Sequence, residues 1–288
     1  DERWVNVHPA HLALTAALAN KVGKENSEII SNVPESARYL DRMGLYNFVK
    51  TPSPFGSYEH KDPSGRFIPI TIIKNSSDQS HFITEMVPLL HLEENDASTI
   101  KYIIGELVRN VLEHAYVDSG AIVAAQYFKN TNRISLAICD AGIGLWKGLK
   151  IWHPRTDEDA IQLALTPGIS GTTRKEGGTS ENAGAGLFFI KSIAKTTRNN
   201  FAIYSGDAAY VLKKTRPDQK KPKLKANPFE DSCVRKTGLA RFDGTLVAVD
   251  ISLGTTVEFK QMLDMIGNVY ETAIHERKER KYRDPNFI

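Results

Sequence analysis

Two residues at helical spacing carry the first chemical signal in this chain. Glu106 and Asn110 sit four positions apart within ELVRNVLEHAY, about 1.1 turns of helix, so both side chains leave one face. A carboxylate beside an amide oxygen suits a site for a metal-bound nucleotide. The amide oxygen ligates a hard cation, and the carboxylate polarises an attacking hydroxyl. By itself such a pair is equally the mark of a solvated helix face.

A second signal follows an apolar strand. RISLAIC runs into Asp140-Ala141-Gly142-Ile143-Gly144-Leu145, which puts a carboxylate at a strand end with glycines that let backbone approach a ligand closely. The third is ENAGAGLFFIKSI, where Gly184, Gly186 and Leu187 open a helix whose backbone N–H groups can receive phosphate. A dinucleotide-binding turn also places Gly-x-Gly before a helix, but here the preceding TSEN is no buried strand and Phe189 occupies the third glycine position. Upstream, PGISGTTRKEGG supplies the hydroxyls of Thr172 and Thr173, two cations and several glycines, the makings of a lid over a polyphosphate.

Taken in this order, the three elements resemble the Bergerat, or GHKL, ATPase superfamily, the group that includes gyrase, Hsp-type chaperones and histidine kinases. ELVRNVLEHAY looks like its N box, CDAGIGL like its first glycine box, and PGISG with NAGAGL like its second. The ending His114-Ala115-Tyr116 is most similar to the anti-sigma-factor serine kinases. The resemblance implies ATP and Mg²⁺ as cofactors. It implies that Asn110 holds the Mg²⁺, that Glu106 is the general base, and that Asp140 accepts a hydrogen bond from the adenine amino group. It also implies that Gly142 and Gly144 pass close to the nucleotide, that Gly184 and Gly186 close on the phosphates, and that Thr245 supports the adenine pocket, with Thr255 or Thr256 as rivals.

These residues need elements to hold them. ASTIKYIIGELVRNVLEHAYV spaces Ile100, Ile103, Ile104, Leu107, Val108, Val111 and Leu112 along one face of a helix about five turns long. GAIVAAQYF and RISLAICD read as strands joined by Asn130-Thr131-Asn132, a hairpin signal. GLFFIKSIAKTT reads as a helix, NFAIYSG, YVLKK and GTLVAVDI as strands, and residues 258–288 as a helical tail. The expected ATP-binding unit spans 93–257, an α/β two-layer sandwich with helices over one face of a mixed sheet, a lid at 146–183 and a basic insertion at 212–238. His114, one turn beyond Asn110, is expected to pack beside the site, and Trp146 and Trp152 to pack around the lid.

Residues 1–92 read as a separate small α/β unit. Strand-helix VHPAHLALTAAL and helix RYLDRMGLYNF resemble a STAS-type domain. TPSPFGSYEHKDPSGR, 51–66, is rich in turn formers and reads as a linker, after which FIPITII is a strand and SHFITEMVPLLHL a helix.

Composition narrows the class. At 288 residues the chain has room for one large domain or two ordinary ones. No run approaches the roughly 20 apolar residues of a membrane span, and DERWVNVHPA lacks the layout of a signal peptide. Two cysteines, Cys139 and Cys233, cannot build a disulfide framework, which favours a reducing cytoplasm. The net charge of +3 is too small to argue for nucleic acid. Basic residues are nevertheless concentrated in KKTRPDQKKPKLK, Lys213 to Lys225, which reads as a solvated loop or, less favoured, a polyanion contact. None of the eight histidines stands in a histidine-kinase phosphoacceptor context, which argues against a complete two-component sensor.

The functional expectation is a Mg–ATP-dependent ATPase or serine/threonine protein kinase acting as a regulatory switch on a protein partner or substrate. Two alternatives stand beside it: a nucleotide-gated interaction module with little turnover, and a nucleic-acid-directed ATPase. Many GHKL proteins dimerise, so a homodimer is a candidate state, although no residue pattern fixes an interface.

Overall fold

A computed structural model of the chain describes residues 7–29, 37–55, 65–173, 184–216, 218, 223–254 and 257–283. Its centre is one seven-stranded sheet. In chain order the strands are β1 (Phe67–Ile73), β2 (Ala121–Phe128), β3 (Arg133–Asp140), β4 (Phe201–Gly206), β5 (Ala208–Leu212), β6 (Cys233–Lys236) and β7 (Phe242–Ser252). Their spatial order is β1-β2-β3-β7-β4-β5-β6, and every pairing is antiparallel. The expectation of a mixed sheet is therefore corrected to an antiparallel one.

The period of two along each strand divides its side chains between two cores. On β3, Ile134, Leu136 and Ile138 enter one core while Ala137 and Cys139 enter the other. On β7, Val247, Val249 and Ile251 share the first core and Ala248 the second. Strands covered on both faces read as unbroken apolar runs, which is why RISLAIC shows no polar alternation.

Helices α4 (Glu94–His114), α7 (Gly186–Thr196) and α8 (Phe259–Arg283) cover the first face. The apolar stripe of α4 buries Ile100, Ile103, Ile104, Leu107, Val108 and Val111. The helix stops at His114, and two residues on Tyr116 turns the chain away with a positive φ of 51°.

The second face differs from expectation. Among the described residues, the segment before Glu94 forms no sheet of its own. Its one strand, β1, pairs with β2 at the edge of the central sheet. Helix α1 (Pro9–Val22) lies across the back of the sheet, with Leu12, Ala13, Ala16 and Ala17 in the same core as Ala124, Ala137 and Ala248. Small residues on both sides allow a close helix-to-sheet approach. Short α2 (Arg38–Arg42) ends at Gly44, which is left-handed as a helix stop requires. The sandwich thus gains a third layer. Residues 30–36 and 56–64, the latter most of the linker, lie outside the described residues.

Two ties hold α1 in place. His8 Nε2 is 3.3 Å from the buried carboxylate of Asp250 on β7. That carboxylate also takes bonds from Ser135 and Asn200, with Arg133 alongside; together they outweigh its burial and hold it near pKa 2. At the other end, Lys21 Nζ donates to the carbonyl of Asp243 at 3.3 Å.

SHFITEMVPLLHL is not one continuous helix. Helix α3 (Ser76–His81) passes into a π turn over Phe82–Met86 and a 3-10 turn over Val87–Leu90.

The described residues of the Lys213 to Lys225 run are mostly exposed and form no helix or strand, but the insertion is ordered beyond them. Residues 223–236 fold back over α7 and add β6 to the sheet. Lys191 and Lys195 of α7 both reach Asp231, the first at 2.7 Å, and Lys191 Nζ also donates to the carbonyl of Lys225. Both Lys191 and Asp231 side chains are fully buried. Burial pushes the Lys191 ammonium down and Asp231 opposes that shift.

Removing one partner of such a cluster leaves uncompensated buried charge. Asp231→Ala should destabilise the protein by about 3 to 5 kcal/mol, measured as a drop in the urea midpoint. A change below about 1 kcal/mol would show that water reaches the lysines and that the cluster is a surface pair.

Candidate functional site

Between α4, the end of β3 and the start of α7 lies a cavity of about 340 Å³, within the size range of small-molecule sites. Glu106, Asn110, Asp140, Gly144, Gly184, Gly186, Leu187 and Thr245 all line it. Three distant segments are brought there by the sheet. β3 pairs with β7 so that Asp140 stands opposite Thr245, while α4 and α7 pack side by side on the same face.

Asp140 is only 4% exposed. Burial pushes its carboxyl up to about 6, opposed by backbone N–H donation from Gly142 and Thr245 and by the charge of Lys21. The Gly142 bond, 2.8 Å to Oδ1, fixes the orientation of the carboxylate. A buried carboxylate near neutral pKa is a group that gains strongly from an added donor.

Gly142 does not line the cavity. A Cβ there would stand 2.1 Å from the carbonyl oxygen of Ala115, and the next residue, Ile143, donates its N–H to that oxygen at 3.0 Å. This glycine locks the end of α4 against the end of β3, so its part in the site is structural.

Glu106 is half-buried. Burial raises its carboxyl, while the guanidinium of Arg109, 2.6 Å away, pulls it down. Its Oε2 sits 2.7 Å from where a Gly186 Cβ would be, and Asn110 Nδ2 lies 3.6 Å from the same point. Glu106, Asn110 and the first turn of α7 therefore form one small cluster. Asn110 offers an oxygen ligand for a hard cation. No group of three or more His, Cys, Asp or Glu suited to a metal occurs among the described residues.

Thr172 and Thr173 are not among the lining residues. Thr172 is exposed and its hydroxyl is 2.9 Å from that of Ser170, which does line the cavity. Residues 174–183, most of the polar part of the expected lid, lie outside the described residues, as do the rivals Thr255 and Thr256. His114 lines the cavity near its Ala115 end. Trp152 is partly buried and donates its indole N–H to the Ser170 carbonyl at 2.7 Å, whereas Trp146, expected to pack, is exposed and donates to the Pro154 carbonyl at 3.1 Å.

Four contributors were not foreseen. Arg109 and Tyr102 line the cavity from α4, and Ser170 from the loop after α6 (Asp157–Ala164). Ser205 on β4 accepts from the Leu145 N–H at 2.9 Å and donates to the Gly244 carbonyl at 2.7 Å, clamping the glycine turn to the sheet. Arg109 had a legible signal, since it lies three residues from Glu106 and next to Asn110. Ser205 had none, because only strand pairing brings it there.

Gly142→Ala should therefore lower stability by about 1 to 3 kcal/mol, the usual cost of overpacking. Gly186→Ala, whose nearest obstacle is the end of a side chain, should melt close to wild type while disturbing Glu106. Thermal melts of both variants check this; equal melting temperatures would refute the structural assignment of Gly142.

Residues 77–202 match the family model for the histidine kinase-like ATPase domain. The match runs from α3 to the first residues of β4 and includes Glu106, Asn110, Asp140 and both glycine turns; Thr245 lies beyond it. No curated protein matches the chain. No helix of the described residues is long and apolar enough to cross a membrane. Over residues 77–202, then, the chain is similar to the histidine kinase-like ATPase domain, a GHKL-type fold.

Proposed function

We propose that this cavity binds Mg–ATP and that the protein is an ATPase or serine/threonine protein kinase working as a regulatory switch. The observation that carries this is the convergence of Glu106 and Asn110, Asp140, Gly184 and Gly186 on one cavity.

Asp140, oriented by Gly142, accepts from the adenine amino group. Guanine presents a carbonyl at the same place and leaves the buried carboxylate without its donor, which selects ATP over GTP. Asn110 and the phosphates hold Mg²⁺, which when bound neutralises charge on the transferring phosphoryl group. Backbone N–H groups of Gly186 and Leu187, at the positive end of α7, receive phosphate. Glu106 orients and deprotonates the attacking hydroxyl, from water in an ATPase or from serine in a kinase.

The packing around the cavity suits a switch. Tyr102, which lines it, lies 5.7 Å from Phe259 at the start of α8, and Phe189 of α7 lies 5.8 Å from Tyr270. A shift of α4 or α7 on nucleotide binding would be passed to α8, whose outer turns are exposed to a partner protein.

Incubation with γ-labelled ATP and Mg²⁺ should release labelled phosphate, or label a protein acceptor when one is present. No detectable nucleotide binding would end this reading. A second reading, nucleotide-gated binding without turnover, is favoured by the ion pair that holds the proposed base on Arg109. It predicts that output survives Glu106→Ala but not Asp140→Asn.

The raised carboxyl of Asp140 gives a pH signature. Its folded value, about 6, exceeds the ordinary carboxylate value. It therefore stabilises the unliganded protein at low pH, and that contribution is lost as pH rises through 6. The charged form is the better acceptor, so ATP binding should strengthen across the same window. The thermal shift produced by ATP should grow from about pH 5 to pH 7.5 in wild type and stay flat in Asp140→Asn. A flat wild-type profile would remove Asp140 from the adenine contact.

A further inference from the structure

Arg109 is the charged residue of the cavity that neither the helical pair nor the glycine turns account for. It lines the cavity from α4, and its Nη2 donates to Glu106 Oε2 at 2.6 Å. Glu106 is mostly shielded there, with 16% of its side chain exposed, whereas Arg109 keeps 45% of its own. The carboxylate is wedged against Gly186 and the guanidinium reaches outward beside it.

Position along α4 says which part of a nucleotide Arg109 would meet. The Ala115 end of the helix is locked to the turn that follows Asp140. Glu106 lies nine residues earlier, about 13 Å along the axis at 1.5 Å per residue. That is roughly the reach from a base to the end of an extended triphosphate chain. Arg109 starts one turn nearer Ala115 but reaches back to Glu106 at 2.6 Å, so its guanidinium stands with that carboxylate at the far end, beside the first turn of α7.

Charge makes the same point. The ionisable carboxylates lining the cavity are Glu106 and Asp140, and the one lining Lys or Arg among the described residues is Arg109. A triphosphate brought against Glu106 alone would meet like charge. Guanidinium presents five N–H donors in a rigid fork suited to phosphate oxygens, and the Glu106 bond uses one nitrogen.

We propose that Arg109 recognises the terminal phosphate of a nucleoside triphosphate, exchanging part of its bond with Glu106 for the γ-phosphate and so distinguishing tri- from diphosphate. This rests on the nucleotide reading of the cavity. The exchange is non-covalent: the guanidinium stays charged, and Glu106 is released beside the γ-phosphate, free to accept the proton of the attacking hydroxyl. The ion pair is then a latch that loosens only for the complete substrate.

The test is equilibrium binding of Mg–ADP and of a non-hydrolysable Mg–ATP analogue to the full chain, in wild type, Arg109→Ala, Arg109→Lys and Glu106→Gln. Arg109→Ala should weaken the triphosphate about 10-fold or more, as loss of a charge-assisted bond does, and leave the diphosphate within about 2-fold. Arg109→Lys should keep part of the preference, because it retains the charge without the fork. Glu106→Gln should strengthen triphosphate binding by freeing the guanidinium and removing a like charge. Equal weakening of both nucleotides by the arginine variants, or no weakening, overturns the proposal while the pocket reading stands. Wild-type protein that binds neither nucleotide overturns both. Should the alanine variant fail to fold, the lysine variant decides alone, an unchanged tri-to-diphosphate ratio being the refuting result.

Discussion

One close contact sets the geometry of the site. The carbonyl of Ala115, at the end of α4, accepts from Ile143 and leaves no room for a side chain at Gly142. Through it, the strand end that carries Asp140 and the helix that carries Glu106 and Asn110 become one rigid piece. Backbone against backbone can approach more closely than any side chain allows, and glycine is the residue that permits it. Distances from Asp140 to the acid and the amide are then set by helix rise, with no flexible joint between them.

The rest of the fold supplies backing for that piece. Asp140 stands at the end of a strand buried on both faces, between β2 and β7. Its walls are fixed on one side by the apolar stripe of α4 and on the other by the alanine-rich contact with α1. The N-terminal segment therefore acts on the site from behind, through the sheet and through the charge of Lys21. The basic insertion contributes differently. By burying Asp231 against Lys191 and Lys195 it pins α7, the helix whose first turn faces Glu106.

Electrostatically the cavity is divided. At one end a buried carboxylate, held near neutral pKa, awaits a hydrogen-bond donor. At the other a half-buried carboxylate is already engaged by a cation, beside a helix N-terminus that favours anions. A ligand with donors at one end and phosphate at the other matches both. Apolar residues between the two ends, including Leu107, Val111, Ile138, Leu145 and Val247, suit the flat face of a base.

What was legible from sequence alone was local. The stripe from Ile100 to Val111, the Glu106–Asn110 spacing, the hairpin at Asn130–Asn132 and the strand-to-glycine turns depend on neighbours within one or two turns of chain, where periodicity and turn chemistry speak directly. Tertiary structure alone decided what depends on segments far apart. Strand direction became uniformly antiparallel, β1 joined the edge of the central sheet, and α1 became its second cover. The burial of Lys191 and Lys195 could not be read locally either, because their counter-charge, Asp231, stands 36 to 40 residues later in the chain. Gly142 reads as a ligand glycine by motif, yet the nearest obstacle to its side chain is a helix end 27 residues earlier. Such roles are set by which surfaces bury each other, a condition no single stretch of sequence contains.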